Sequence, residues 1–346
     1  MKIAMLHLGE PHPSHRGFGE AVSADFIRCT DAASPHSPKA FVDEAKTGSK
    51  LKEYDVLIAE GARPLYTGIV SKIRHGTTLI YLCADHRFHQ LASGDIQVKS
   101  LYSLFKFLLG QYGLFGVKMI MNRYVDGVVA VSEFVADFIQ PIVGYQTPIT
   151  IAHPFIQEEL YEKLGTVTYH PESDIVTTVG YGQRYKGTDL LVSAWKKVHE
   201  KHPEAELHIV GKGHPTSYED TSGVTVMGYL SNISEAYDHA NLYVQPSRVD
   251  PFPVSVLEAL RAGVPTLVTE STGSKSEVQN INTNLVCQTN PRSIAQSINW
   301  YLSLEDEIKR ELSTRSSHIG SKFNPNSRKE AFRLALSSLL ENVPIK

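Results

Sequence analysis

The chain has 346 residues, of which 42% are hydrophobic and 21% are charged, and its formal net charge is -3. This composition excludes a largely disordered chain, because enough apolar side chains are present for two domains of ordinary size. The charge argues against a protein dominated by nucleic-acid binding, which would be strongly basic.

The three cysteines lie far apart in the sequence and are odd in number. They predict neither a disulfide framework nor a metal-binding knuckle, and they favour a reducing compartment. The first residues show no secretory pattern, and the chain has no apolar run of the about 18 residues that a membrane span needs. We therefore expect a cytoplasmic protein without a spanning helix.

In chain order, short apolar runs alternate with segments of helical periodicity, which is typical of parallel α/β units. Each run is apolar on both faces, as in strands buried between helix layers. The predicted strands of the first half are 2–8, 54–59, 78–82, 127–131 and 148–151, and those of the second half are 175–179, 207–210, 224–227, 242–245, 265–269 and 285–287. The fold class is therefore α/β, with two parallel sheets in series.

The stretch between Pro154 and Pro171 has no strand signal and marks the domain boundary. We predict an N-terminal domain over 1–157 and a C-terminal domain over 172–322. Residues 323–346 are predicted to form a final helix.

A glycine-rich turn follows the predicted strand 175–179 and leads into a helix. Glycine lets a backbone approach a ligand closely, and a helix N-terminus attracts anions. Together with Gly182, the cations Arg184 and Lys186 therefore predict a diphosphate site. The alternative is an ordinary glycine turn with exposed basic residues.

A second set of polar residues follows the predicted strand 242–245. Pro253 suits the first turn of a helix, and Glu258 would lie about five residues inside it, roughly 7–8 Å along the axis. Asp250 would lie in the loop before that helix. Two carboxylates with backbone N–H groups between them suit a ligand with hydroxyls at both ends and negative charge in the middle. The alternative for Glu258, a solvated helix residue, fits poorly with its apolar neighbours.

These motifs carry a family resemblance. The segment 175–277 resembles the donor domain of the retaining glycosyltransferases of family 4, which have the GT-B fold. Residues 180–187 match the family's glycine–lysine turn, and residues 250–258 match its acidic-x7-Glu motif. Residues 263–277 match its Gly-x-Pro strand with the glycine and glutamate that follow. The resemblance implies two Rossmann-like domains, the acceptor on the first, the donor on the second, and a C-terminal helix that returns to the first domain.

The resemblance also implies residue roles. Lys186 would contact the donor diphosphate and Asp250 the transferred sugar, which makes both candidates for catalysis, while Glu258 would hold the ribose. The backbone beside the diphosphate and sugar would come from Phe252, Pro253 and Val254. The chain departs from the family at two positions. Tyr181 stands where the family has an arginine, and Arg184 would take over the role of that arginine. Asp250 stands where glutamate is commoner.

The first half holds weaker signals. Gly17 and Gly19, in the stretch 16–20, resemble the family's glycine-rich loop near the donor phosphate, and the alternative is an ordinary glycine turn. Several members of the family carry a histidine after the corresponding strand, near the reacting sugar. The resemblance therefore makes His86, after the predicted strand 78–82, a catalytic candidate, with His89 as its rival. A His-x-x-His metal site would need further ligands, so we expect no metal.

The stretch 96–125 has four basic residues, no acidic residue and many aromatic and aliphatic side chains. This combination suits a segment that contacts anionic lipid, with a mostly buried helix pair as the alternative. It adds peripheral contact with the inner face of a membrane to the expected cytoplasmic location.

Together these features and the resemblance predict a metal-independent glycosyltransferase without a cofactor, and the resemblance alone implies a retaining, hexosyltransferase-like enzyme. It would move a sugar from a UDP- or GDP-sugar to a glycan or lipid-linked acceptor. A nicotinamide dehydrogenase is disfavoured, because the glycine turn lacks the third glycine of the dinucleotide fingerprint. The alternative from another class is a catalytically silent nucleotide-sugar-binding or scaffold protein, which Tyr181 motivates.

Overall fold

The structure, a computed structural model, describes residues 1–32, 37–92 and 101–343, and it describes their side chains except those of 90–92 and 101–112. The chain divides into two compact units. One consists of Met1–Pro154 with Arg328–Lys346, and the other of Phe155–Ser327.

The first unit is built on a six-stranded sheet with the strand order β2-β1-β3-β4-β5-β6, in which all neighbouring strands are parallel. Its strands are β1 (Ile3–His7), β2 (Asp25–Arg28), β3 (Val56–Glu60), β4 (Thr78–Cys83), β5 (Gly127–Ala130) and β6 (Ile149–Ile151). Its helices are α1 (Pro13–Ala21), α2 (Pro38–Gly48), α3 (Leu65–His75), α4 (Arg87–Ala92), α5 (Leu101–Tyr124) and α6 (Glu133–Val143). Every residue of β4 is buried, as the unbroken apolar run predicts for a central parallel strand.

The second unit has a six-stranded parallel sheet of its own, in the order β12-β11-β10-β7-β8-β9. Its strands are β7 (Ile175–Val179), β8 (Glu206–Val210), β9 (Val224–Gly228), β10 (Ala240–Gln245), β11 (Thr266–Thr269) and β12 (Val286–Cys287). Its helices are α7 (Glu158–Leu164), α8 (Thr188–Lys201), α9 (Val254–Arg261), α10 (Lys275–Gln279), α11 (Pro291–Leu302) and α12 (Asp306–Ser321), with 3-10 helices at Arg184–Lys186, Thr216–Asp220, Ile233–Ala236 and Thr283–Leu285. The central strand β10 is buried along its whole length.

The final helix, α13 (Pro325–Glu341), returns the chain to the first unit. Phe332 stacks on Phe18 of α1 with ring centroids 4.4 Å apart, and both rings are fully buried. An ideal Cβ built on Gly127 would lie 3.1 Å from Leu339, so glycine there lets α13 lie close to β5. The expected α/β class, with two parallel-sheet domains and a returning helix, is confirmed.

Two elements of the structure were not predicted from the sequence. β2 was not predicted, and α7 lies within the stretch between Pro154 and Pro171 that has no strand signal. No helix in the described part of the chain is both long and apolar enough to cross a membrane.

Candidate active site

The strand order of the second sheet defines where a ligand would bind. β7 and β10 are neighbours, and the chain continues from β7 to β8 on one side and from β10 to β11 on the other. At such a switch point the two following loops diverge and open a crevice at the carboxyl ends of the strands. The glycine-rich turn follows β7, and the Asp250 loop follows β10. The two loops with candidate residues therefore border the same crevice.

Glycines shape the turn between β7 and α8. Gly187 has a φ of 72°, and an ideal Cβ there would lie 1.9 Å from the carbonyl oxygen of Pro246. An ideal Cβ on Gly182 would lie 2.0 Å from the carbonyl oxygen of Gly213 in the loop after β8. Both positions exclude any side chain, so this turn packs backbone against backbone with its two neighbours.

Lys186 and Asp250 form an ion pair across the crevice. Lys186 Nζ lies 2.8 Å from Asp250 Oδ2, and Asp250 is only 4% exposed. Burial opposes the charge of the Lys186 ammonium group, but the charge and hydrogen bond of the Asp250 carboxylate outweigh it and raise the pKa of Lys186. An ammonium group has three donors, so two remain for other acceptors such as phosphate oxygens.

The loop of Asp250 is fixed by its backbone. The Asp250 N–H donates to the carbonyl of Ser271 over 3.1 Å, and its own carbonyl accepts from the N–H of Gly273 over 2.8 Å. The Gly273 segment, which the sequence matched to the family pattern, therefore holds the aspartate in place.

Arg184 lies in the same turn with its side chain exposed. In the described part of the chain its guanidinium makes no hydrogen bond or ion pair, whereas its carbonyl accepts from Arg248 over 2.7 Å. Arg248 also pairs with both carboxylate oxygens of Asp189 at 2.7 Å, and these hydrogen bonds lower the pKa of Asp189. Sequence reasoning missed Arg248, which ties the turn to the first residues of α8 and leaves Arg184 free to reach a ligand. Tyr181, the departure from the family pattern, is 58% exposed.

The start of α9 differs slightly from the expectation. Pro253 is the N-cap with a ψ of 121°, so the helix begins at Val254 rather than at the proline. The Phe252 side chain is buried and its ring lies 5.9 Å from that of Phe323, so only the Phe252 backbone could face a ligand.

Glu258, on the first turns of α9, is half-buried. The hydroxyl of Tyr237 donates to its Oε2 over 2.8 Å. Burial raises the pKa of Glu258, and the hydrogen bond from Tyr237 opposes this rise. The alternative from the sequence, a solvated glutamate on the helix surface, therefore does not describe this residue.

The first sheet has a switch point of its own, between β1 and β3. At that point His15 Nδ1 lies 2.6 Å from Glu60 Oε1, which also accepts from the backbone N–H of His12 over 3.2 Å. If the ring donates from Nδ1, its Nε2 is an acceptor, for which the described residues provide no hydrogen bond. Sequence reasoning missed this pair, because nothing in the sequence shows that the ends of β1 and β3 meet.

The other first-unit candidates are spread along this edge. His86 lies between β4 and α4 and is half-buried, whereas the ring of its rival His89 packs 5.4 Å from Phe134 and 5.3 Å from Phe138. The aromatic packing favours a structural role for His89.

The expectation of a glycine loop at 16–20 is wrong, because these residues lie inside α1. Pro13, at the first position of the helix, starts it earlier than expected. An ideal Cβ on Gly19 would lie 2.6 Å from the ring of Phe26, so this glycine allows α1 to pack closely on β2. Gly17 is buried in the same helix.

Comparison with known proteins first gives the class of fold. The chain resembles the crystal structure of Anabaena HepE in complex with UDP and glucose, with a TM-score of 0.71, 16% identity and coverage of 98% of this chain and 100% of that one. It also resembles sucrose-phosphate synthase from Thermosynechococcus elongatus, with a TM-score of 0.72, 17% identity and coverage of 98% and 99%. The fold is the GT-B fold of glycosyltransferases.

Sequence comparison then points to a family. Residues 166–318, which contain the Lys186–Asp250 pair and Glu258, match the family model Glycosyl transferases group 1. Mannosylfructose-phosphate synthase of Agrobacterium fabrum is 29% identical over 116 residues, or 28% of this chain and 26% of that protein. An uncharacterized glycosyltransferase of Methanocaldococcus jannaschii is 31% identical over 144 residues, or 38% and 36%. The match thus covers only 26% and 36% of the length of these two curated relatives.

Proposed function

We propose that this protein is a glycosyltransferase that takes a sugar from a nucleotide-sugar donor bound on its second unit. The observation that carries the proposal is the Lys186–Asp250 pair at the switch point between β7 and β10. A cation next to a glycine turn suits a diphosphate, and a buried carboxylate beside it suits the hydroxyls of a sugar. The group 1 family match over this segment supports the same activity.

In this proposal Lys186 stabilises the negative charge that develops on the diphosphate as the glycosidic bond breaks. Arg184, with its exposed guanidinium, adds a second cation and replaces the arginine that is absent at Tyr181. These side chains supply the positive charge that a metal ion would otherwise bring, so the enzyme works without a metal or cofactor. Asp250 contacts the transferred sugar and Glu258 the ribose. The family resemblance supports a UDP- or GDP-sugar donor and retention of anomeric configuration.

The acceptor, a glycan or a lipid-linked sugar, would bind on the first unit. The His15–Glu60 pair supports this, because it lies at the switch point of the first sheet, where parallel α/β sheets bind ligands. An imidazole held at Nδ1 offers Nε2 to a sugar hydroxyl. His86 follows β4, which lies beside β3 in the same sheet.

Exposed apolar residues on α5 support contact with a membrane surface. Phe115, Met119 and Ile120 are 65%, 60% and 47% exposed. Lys118 and Arg123 are their basic neighbours, and the described part of this helix beyond residue 112 has no acidic residue. Lys99 lies outside the described residues, and the Lys106 side chain is not described. Apolar side chains beside cations suit a surface of anionic lipid, which would place a cytoplasmic enzyme next to a lipid-linked acceptor.

A ligand panel tests the proposal. We expect one nucleotide sugar from a set of UDP-, GDP- and ADP-sugars to raise the melting temperature, because a ligand that binds only the folded state stabilises it by mass action. That compound should then be consumed with added acceptor, and NMR of the anomeric proton of the product shows retention or inversion. Binding without any turnover would favour the silent scaffold, and no binding by any member of the panel would contradict both functions.

A further inference from the structure

Tyr237 lies outside all the donor-binding motifs, yet it contacts one of their residues. It follows the 3-10 helix Ile233–Ala236, precedes β10 and is only 1% exposed. Its hydroxyl has two acceptors within reach, Glu258 Oε2 at 2.8 Å and the carbonyl of Ser255 at 3.3 Å. A phenol has one hydrogen to donate, and the shorter contact to a carboxylate is the stronger hydrogen bond.

The oxygen of Tyr237 is not needed for packing. Phenylalanine would fill the same space, whereas a buried hydroxyl costs free energy unless it finds a partner. The partner here is an ionisable carboxylate one turn inside a helix whose start borders the crevice. The hydroxyl therefore acts on the orientation and charge of Glu258.

Resting on the proposed function, we propose that Tyr237 is a positioning residue that holds Glu258 Oε2, so that Oε1 is presented to the ribose hydroxyls of the donor nucleotide. The terminal torsion of a glutamate side chain is broad, so a free carboxylate would sample many orientations. Fixing one oxygen before the ligand arrives reduces the entropy lost on binding. The pair then selects nucleotides with a ribose over those with a 2′-deoxyribose.

The same contact affects the charge of Glu258. Burial raises the pKa of this carboxyl group, and the Tyr237 hydrogen bond opposes the rise. Without the hydroxyl the pKa of Glu258 rises further, so the carboxylate is protonated at a higher pH. Hydrogen bonds to a charged acceptor are stronger than those to a neutral one. As the pH is lowered, nucleotide affinity should therefore begin to fall at a higher pH in a Tyr237→Phe variant than in the wild type.

Calorimetry with UDP and 2′-deoxy-UDP tests the role. We expect Tyr237→Phe to weaken UDP binding about tenfold and 2′-deoxy-UDP binding much less, because the lost orientation matters only to a ligand with both hydroxyls. In a Glu258→Gln background the same substitution should have little further effect. Tyr301→Phe is the matched control, since it removes a buried hydroxyl of the same unit, bonded to the Asn241 carbonyl over 2.9 Å. It should leave both affinities unchanged.

Equal losses for the two nucleotides, or a full effect in the Glu258→Gln background, would overturn the inference. If Tyr237→Phe does not fold, a crystal structure of the wild-type protein with UDP tests the role of Tyr237 instead. The Tyr237 oxygen bonded to one oxygen of Glu258, with the ribose on the other, supports the role, and a broken Tyr237–Glu258 contact overturns it. Failure of UDP, GDP and ADP alike to bind the wild type would refute the donor site itself, and the role of Tyr237 with it. Normal binding with an unchanged preference for ribose would refute only the role of Tyr237.

Discussion

At the scale of single residues, the charge of Lys186 is the feature on which the proposed chemistry depends most. We expect Lys186→Ala to lower turnover by about 10²–10³, the loss typical of one preorganised electrostatic group. Arg184→Ala should also be costly if its exposed guanidinium replaces the missing family arginine. Steady-state kinetics measure both losses, and Lys196→Ala, an exposed lysine on α8, is the control. A folded Lys186→Ala enzyme with near-normal kinetics would contradict the assignment of this site.

The two carboxylates of the site should give different phenotypes. Glu258→Gln should mainly weaken binding of the free nucleoside diphosphate, because its proposed partner is the ribose. Asp250→Asn should lower turnover more than it weakens that binding, because its proposed partner is the sugar, which the diphosphate lacks. Calorimetry with UDP, set beside turnover of the donor, separates the two effects. Parallel losses in both measurements for both variants would refute the division of roles.

At the scale of elements, the glycine turn between β7 and α8 leaves no room for a side chain at Gly182 or Gly187. Gly187→Ala needs a left-handed φ of 72° and a Cβ 1.9 Å from a carbonyl oxygen, so the turn must shift. We expect a loss of about 1–3 kcal/mol in the free energy of unfolding, together with weaker UDP binding. Gly180→Ala is the matched control in the same turn, because its nearest contact is a Lys186 side-chain atom at 3.9 Å. Urea denaturation compares the two, and equal stabilities would show that the turn is more adaptable than its geometry indicates.

Elements were predictable where one local signal decides them. The central strands are rich in apolar and β-branched residues, and 175–179 was placed without error as β7. β2 was missed because Asp25–Arg28 is a partly exposed edge strand with charged residues at both ends. The sequence could place the loops of Lys186 and Asp250 at the same edge of the sheet, because each loop directly follows a strand. The His15–Glu60 and Tyr237–Glu258 contacts join residues 45 and 21 positions apart. The order of the strands brings the first pair together, and the packing of α9 along β10 brings the second pair together.

At the scale of the whole molecule, both units share one arrangement of sheet and polar residues. Each sheet is parallel, each reverses its strand order once, and each has a polar pair at that reversal. In the first unit the pair is His15–Glu60, and in the second it is Lys186–Asp250. A histidine suits a hydroxyl, whereas a lysine suits a phosphate, so the chemistry of each pair agrees with an acceptor on the first unit and a donor on the second.

The last prediction concerns where the molecule works, and it depends on the exposed face of α5. A cation near an anionic membrane contributes about 1 kcal/mol, and salt weakens that contribution. We therefore expect salt-sensitive co-sedimentation with vesicles that contain phosphatidylserine and little with neutral vesicles. Changing Lys118 and Arg123 together to Gln should reduce binding about tenfold or more without changing donor affinity.

The control for this experiment makes the same change of charge elsewhere. Lys196 and Lys197 are exposed neighbours on α8 of the second unit, and their joint change to Gln should leave vesicle binding intact. A second pair, Phe115→Ser with Met119→Ser, removes exposed apolar area without removing charge and should also weaken binding, because inserted apolar side chains supply the part that salt does not screen. If the wild type ignores anionic vesicles at low salt, the apolar face of α5 serves another purpose, and a soluble acceptor becomes the better proposal.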